Sequence, residues 1–151
     1  MESNQLIEIL MAEDSLNDRM LTEEAIKYSK LLNRLHLVGD GEELLSFLRR
    51  EPPHTDAPVP DLILLDVNMP RKSGLEALAE IKAHPQWKRI PVIMLTSSQA
   101  DQDIHTAYGH HANSYIVKPV DFNRFIEVVR TLEDFWFGIV KLSPKRLYDQ
   151  P

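Results

Sequence analysis

Four apolar runs end in side chains able to do chemistry. The acid pair Glu13-Asp14 follows Leu6 to Ala12, and Asp66 closes Leu62-Ile63-Leu64-Leu65. Thr96 closes Pro91 to Leu95, and Lys118, followed by Pro119, closes Ser114 to Val117. Carboxylates gathered at one point repel one another and raise each other's pKa, a penalty that a divalent cation reverses. Mg²⁺ prefers oxygen ligands and joins carboxylates to phosphate oxygens, so Glu13, Asp14 and Asp66 make a candidate metal set, with the backbone carbonyl of Asn68 as a further ligand. Asp66 can attack phosphorus and become an aspartyl phosphate. Lys118 then balances the charge of the transferring group, and Thr96 donates its hydroxyl to a phosphoryl oxygen. Pro70 and Gly74 suit a turn that approaches the site closely, and Lys118-Pro119 suits a cis peptide. Each residue alone has a plainer reading: Glu13-Asp14 as a helix-capping turn, Asp66 as a loop cap, Thr96 as a local backbone partner, Lys118 as a solvated strand end. Their joint placement favours the chemistry.

Five short apolar runs predict strands at Leu6 to Ala12, Arg34 to Val38, Leu62 to Asp66, Val92 to Thr96 and Ser114 to Val117. Helical spacing fills the intervals. Leu21, Ala25, Tyr28 and Leu32 predict one face of a first helix. A second opens after Asp40-Gly41 with Leu44, Leu45 and Leu48 inward, and a third after Ser73-Gly74 with Leu75, Leu78 and Ile81 inward. Ile104, Tyr108 and His111 mark a fourth more weakly; Phe122, Phe125, Ile126, Val129, Leu132 and Trp136 mark a fifth, with Asp121 as N-cap. Alternating βα units imply a parallel sheet with helices on both faces. The ligand site of such a sheet lies at the carboxyl ends of its strands, where all four candidates stand. Residues 51–60 hold four prolines and predict an extended surface loop.

Composition sets the outer bounds. The chain has 151 residues, 43% hydrophobic and 26% charged, which predicts one globular domain. A net charge of −6 argues against nucleic acid as a partner. Cysteine is absent, which removes disulfides and thiol chemistry. No apolar run approaches the length of a membrane span and no signal-peptide pattern opens the chain, so no membrane association and a cytoplasmic location are expected.

Taken together, Glu13-Asp14, Leu62 to Pro70 around Asp66, Gly74, Thr96-Ser97 and Lys118-Pro119 resemble a response-regulator receiver domain of the two-component systems. The resemblance runs from about Ile7 to Phe135. It implies a flavodoxin-like (βα)5 doubly wound fold with strand order 2-1-3-4-5. It also implies Mg²⁺-dependent phosphoryl transfer from the phosphohistidine of a histidine kinase to Asp66. Tyr115 falls on the family's aromatic switch position, rotating inward as Thr96 moves toward the phosphoryl group. The Pro-rich loop, Ala112 to Tyr115 and the ending Phe135-Trp136-Phe137-Gly138 look like the single-domain regulators paired with bacterial phytochromes. That narrower likeness implies a light-sensing bacteriophytochrome as the kinase. It also implies a homodimer through the fourth helix, fifth strand, fifth helix and C-terminal extension. Residues 1–136 are then the receiver domain and 137–151 an extension without an output domain. Kinase docking is expected on the first helix near Ser15, Asp18 and Arg19, with the Pro119 turn.

Other functions remain to be weighed. A phosphatase of the haloacid dehalogenase type also uses an aspartate nucleophile and Mg²⁺, but needs a second aspartate two residues on, where this chain has Asn68. The protein is therefore expected to accept a phosphoryl group, not to turn substrate over. A phosphorelay intermediate and a phosphorylation-independent interaction module are the alternatives. His110-His111 lacks metal-ligand spacing and reads as surface; His36, His54, His84 and His105 stand singly. The cluster Phe135-Trp136-Phe137 exceeds what one helix face buries and suggests a partner or dimer contact.

Overall fold

The structure, a computed structural model, describes residues 7–28, 33–96, 114–118, 120–121, 123–125 and 127–128. The strands are β1 (Ile7–Ala12), β2 (Asn33–Val38), β3 (Leu62–Asp66), β4 (Val92–Thr96) and β5 (Ser114–Val117). The helices are α1 (Leu16–Tyr28), α2 (Gly41–Arg49) and α3 (Gly74–Ala83), with a 3₁₀ turn at Trp87–Arg89. All strand pairs are parallel, in the order β2-β1-β3-β4-β5, which is the flavodoxin-like arrangement. After β1 the chain moves outward to β2, then crosses back to β3. The sheet's topological switch point therefore lies between the carboxyl ends of β1 and β3.

Two apolar layers hold the helices to the sheet. On one face Leu10, Ala12, Ile63, Leu65, Val92 and Met94 pack with Leu44, Leu45 and Phe47 of α2 and Ala77, Leu78 and Ile81 of α3. On the other, Ile9, Met11, Leu62, Leu64, Ile93, Leu95 and Ile116 pack with Ala25 and Ile26 of α1 and with Phe125 and Val128. β3 and β4 are buried along their whole length because both faces are covered, which is why their sequences are almost unbroken apolar runs. Each large side chain so buried contributes roughly 1.5–3 kcal/mol.

Helix starts follow local hydrogen-bonding chemistry. Asp40 caps α2 through the Glu43 N–H, and Ser73 forms a reciprocal capping box with Glu76 at α3. Asp121 accepts from the Arg124 N–H at 2.8 Å, and residues 123–125 and 127–128 are helical. Ser15 starts α1, its Oγ accepting from the Asp18 N–H at 3.3 Å.

Two expectations change. The inward face of α1 is Thr22, Ala25 and Ile26, while Leu21 is 40% exposed. A helix turns about 100° per residue, so the stripe on Ala25 and Ile26 runs back to Thr22 and leaves Leu21 to one side. The Pro-rich segment is also not simply extended. His54 N–H bonds the Glu51 carbonyl, Ala57 N–H bonds the His54 carbonyl, and Ala57 is buried. His54 and His36, unassigned from sequence, both pack on Phe47 with ring centroids 5.3 Å apart. The fourth helix, Leu32, Ser97, the remaining fifth-helix positions, the histidines His105, His110 and His111, the Lys118-Pro119 bond, and everything from Phe135 onward lie outside the described residues. Among the described residues no helix is long and apolar enough to cross a membrane.

Candidate phosphoacceptor site

Alternation along the strands decides which side chains meet. Glu13 continues the parity of Ile9 and Met11, Asp66 that of Leu62 and Leu64, and Lys118 that of Ile116. All three apolar sets face the α1 layer, so the acids and the lysine emerge on the same side at the strand ends. Thr96 and Tyr115 carry the opposite parity, shared with Met94, and Tyr115 packs half-buried against the α2–α3 layer. Met94 pairs with Tyr115 and Thr96 with Val117 in the β4–β5 register, so Thr96 and Tyr115 lie diagonally across one face.

Carboxylate oxygens of Glu13, Asp14 and Asp66 lie within 4.8 Å of one another. Glu13 and Asp66 are buried and Asp14 is exposed. The Lys118 Nζ donates to Glu13 Oε1 and Asp18 Oδ2, each at 2.9 Å, and stands 3.2 Å from Asp66 Oδ1. Burial, then the charge of Glu13, push the Asp66 pKa up to about 7 against the opposing pull of Lys118. Burial alone would lower the Lys118 pKa; its bonds to Asp18 and Glu13 and the charge of Asp66 more than offset this and hold it above the usual lysine range.

Backbone contacts fix the frame. Val67 N–H bonds the Leu95 carbonyl at 2.9 Å, and Lys118 N–H bonds the Thr96 carbonyl at 2.6 Å, so β3, β4 and β5 are tied together at their carboxyl ends. Glu13 N–H bonds the Val38 carbonyl at 3.1 Å, and the Arg19 Nε donates to the Glu13 carbonyl at 2.7 Å. Gly74 N–H bonds the Val67 carbonyl at 2.9 Å. A Cβ on Gly74 would stand 1.9 Å from the Asp66 carbonyl oxygen, so only glycine lets α3 start against this strand end. Asn68 is exposed in the loop after β3.

The structure thus gathers Glu13, Asp14, Asp66 and Lys118 and places Thr96 beside them through the backbone. It adds two features that motif spacing did not reveal. Asp18, expected only at a docking face, is bonded to Lys118. Arg71, at a φ of 64°, donates through Nε to the buried carboxylate of Asp40 at 2.8 Å and pins the loop after Asp66 to the start of α2. Nothing in the sequence pairs Asp18 with Lys118 or Arg71 with Asp40.

Three carboxylates are the hard oxygen donors that a small divalent cation takes, so the residues present fit such an ion. A doubly wound parallel sheet with acids and a lysine converging at its switch point defines an α/β protein with an acidic pocket. Residues 9–130 match the family model of the response regulator receiver domain, and the chain belongs to that family. Response regulators of this kind serve two-component systems, phosphorylation and Mg²⁺ are features of the family, and its members are in general not turnover enzymes.

The chain is 40% identical over 141 residues to response regulator Rcp1 of Synechocystis sp., covering 93% of this chain and 96% of that protein. The solved Mn²⁺-bound form of response regulator Rcp1 superimposes with a TM-score of 0.73 at 39% identity, covering 86% of this chain and 94% of the other. The phosphorylated cyanobacterial phytochrome response regulator RcpA gives a TM-score of 0.75 at 39% identity, covering 89% and 96%. The bacteriophytochrome response regulator RtBRR gives 0.77 at 39% identity, covering 83% and 77%. The protein is a response regulator related to those associated with phytochromes.

Proposed function

We propose that Asp66 accepts a phosphoryl group from the phosphohistidine of a histidine kinase in a Mg²⁺-dependent reaction, and that the phosphorylated form signals through the face around β5. The observation that carries this reading is the convergence of a buried Asp66 with Glu13, Asp14 and Lys118. In the transfer, an Asp66 carboxylate oxygen attacks phosphorus. The bond from phosphorus to the donor nitrogen breaks as the new P–O bond forms, and the imidazole leaves. Glu13, Asp14, Asp66 and the Asn68 carbonyl would hold Mg²⁺, which when bound offsets the charge accumulating on the phosphoryl oxygens. Lys118 supplies the protein's own positive charge beside Asp66. Thr96 follows the phosphoryl group with its hydroxyl, and Tyr115 on the same face turns inward behind it. Kinship with RtBRR and RcpA supports a phytochrome-type kinase as the donor. Leu16 and Met20, exposed on α1 beside Ser15 and Arg19, suit the docking face for that kinase.

Intact mass after incubation with Mg²⁺ and acetyl phosphate tests the reading. One phosphoryl adduct is expected on the wild type and none on Asp66→Asn or on wild type in excess chelator. An adduct on the Asn variant would move the acceptor elsewhere. No adduct on either protein would favour a phosphorylation-independent interaction module.

A further inference from the structure

Lys118 carries three ammonium protons, and three carboxylates surround them: Glu13 at 2.9 Å, Asp18 at 2.9 Å and Asp66 at 3.2 Å. Its hydrogen bonds go to Glu13 and Asp18, and Asp66 stands beside it as an ion pair. Glu13 and Asp66 side chains are 0% and 4% exposed and belong to the carboxylate group shared with Asp14. Asp18 differs. It comes from the first turn of α1, and its side chain is 26% exposed.

An acid three residues after a serine N-cap ordinarily favours the helix dipole and reaches back to the N–H of the cap. Here that N–H is already taken: Ser15 N–H donates to Glu13 Oε2 at 3.1 Å. The Asp18 N–H is in turn satisfied by Ser15 Oγ. With the cap complete, the Asp18 carboxylate bonds Lys118, a residue 100 positions away in the chain.

We propose that Asp18 is a positioning residue that holds Lys118 in the unphosphorylated site and competes with the phosphoryl group for it, so that it sets how readily Asp66 gains and keeps that group. The inference rests on the reading of Asp66 as the phosphoacceptor. On phosphorylation the Asp66 contact passes to a phosphoryl oxygen, and the bonds to Glu13 and Asp18 then govern how far the ammonium moves toward it. Glu13 is buried and belongs to the proposed metal set, whereas water can replace Lys118 at the part-exposed Asp18. Asp18 is therefore the partner released. The bonds made and broken in the transfer are unchanged: with acetyl phosphate, phosphorus leaves the acetate oxygen for an Asp66 oxygen, and acetate departs.

Asp18→Asn keeps shape and helix position and removes the charge that competes. With Mg²⁺ present, the expected result is a fall of about three- to tenfold in the KM for acetyl phosphate, with a smaller change in the limiting rate. Beryllium fluoride, a phosphoryl mimic, should bind more tightly by a similar factor in calorimetry, while Mg²⁺ alone changes by less than about twofold. Asp18→Glu should restore wild-type values. Glu23→Gln, on an exposed position of α1, alters net charge equally and should change nothing. Asp18→Ser provides a second neutral variant should the Asn protein fail to fold. A wild type that takes the phosphoryl group, with neutral Asp18 variants unchanged or matched by Glu23→Gln, would overturn the role of Asp18 and leave Asp66 standing. A wild type without an adduct would overturn both.

Discussion

At the scale of single residues, the buried acid proposed to do the chemistry also costs stability when ionised. The folded pKa of Asp66 is raised from 3.8 to about 7 by burial and by Glu13, despite Lys118. The folded state therefore binds this proton more tightly than the unfolded chain does. Stability from that proton is full below about pH 4 and is lost as pH rises through about 7. Asn is isosteric with the protonated acid, so in chelator Asp66→Asn should melt higher than wild type, by roughly 1–3 kcal/mol or several degrees. The gap should be larger at pH 8 than at pH 6; thermal melts in both buffers decide it. Adding Mg²⁺ should raise the wild-type melting temperature at pH 8 and do far less for the Asn variant. The acids, the lysine and the threonine were legible as side chains because each closes an apolar strand, and strand parity alone predicts which of them face each other. The Asp18–Lys118 bond was not, because it joins a helix to a strand end across 100 residues and depends on which N–H the cap has left free.

At the scale of elements, the loop that follows Asp66 is held at both ends. Gly74 closes it against the strand, and Arg71 fixes its middle to Asp40, itself the cap of α2. Burial pushes the Asp40 pKa upward, but the Glu43 N–H and Arg71 outweigh it and hold the carboxyl below its ordinary range. Its contribution is present above about pH 4 and is lost as pH falls through the lowered folded value. Asp40→Ala should cost about 1–3 kcal/mol in urea unfolding at pH 7, with the difference from wild type shrinking toward pH 3. Gly74→Ala should cost more than about 3 kcal/mol and abolish the phosphoryl adduct, since the added methyl group meets a backbone oxygen that α3 cannot leave. Equal adduct formation by this variant and wild type would refute the close approach. Element types were readable from periodicity, and the Asp40 and Ser73 caps from residue type. The face of α1 was legible only at Ala25, because Leu16, Met20 and Leu21 are apolar yet exposed, while the polar Thr22 lies inward.

At the scale of the whole molecule, the apolar segment from Phe137 to Leu142 makes self-association through the C-terminal extension a proposal that rests on the sequence. A chain ending at Phe137 should sediment as a lighter species than the full chain at equal concentration and still take a phosphoryl adduct. Identical sedimentation of the two would exclude the extension from the contact. The flavodoxin-like sheet was legible because β3 and β4 are apolar up to their last residues and, among the described residues, α1, α2 and α3 each follow a strand. The turned path of the Pro-rich loop, with Ala57 buried and His54 against Phe47, was hidden because prolines signal a break in regular structure without saying where the chain goes next. The three carboxylates around a single lysine, with Asp14 beside two of them, carry one further consequence. Small phosphodonors are anions and meet that excess of negative charge at the exposed Asp14, with little surface of their own to bind by. On the proposed kinase reading, a phosphoryl group borne on a docked protein would also gain affinity from contacts between the two proteins. Acyl phosphates should therefore react faster as ionic strength rises at fixed Mg²⁺, and a rate that falls or stays level with added salt would exclude this charge effect.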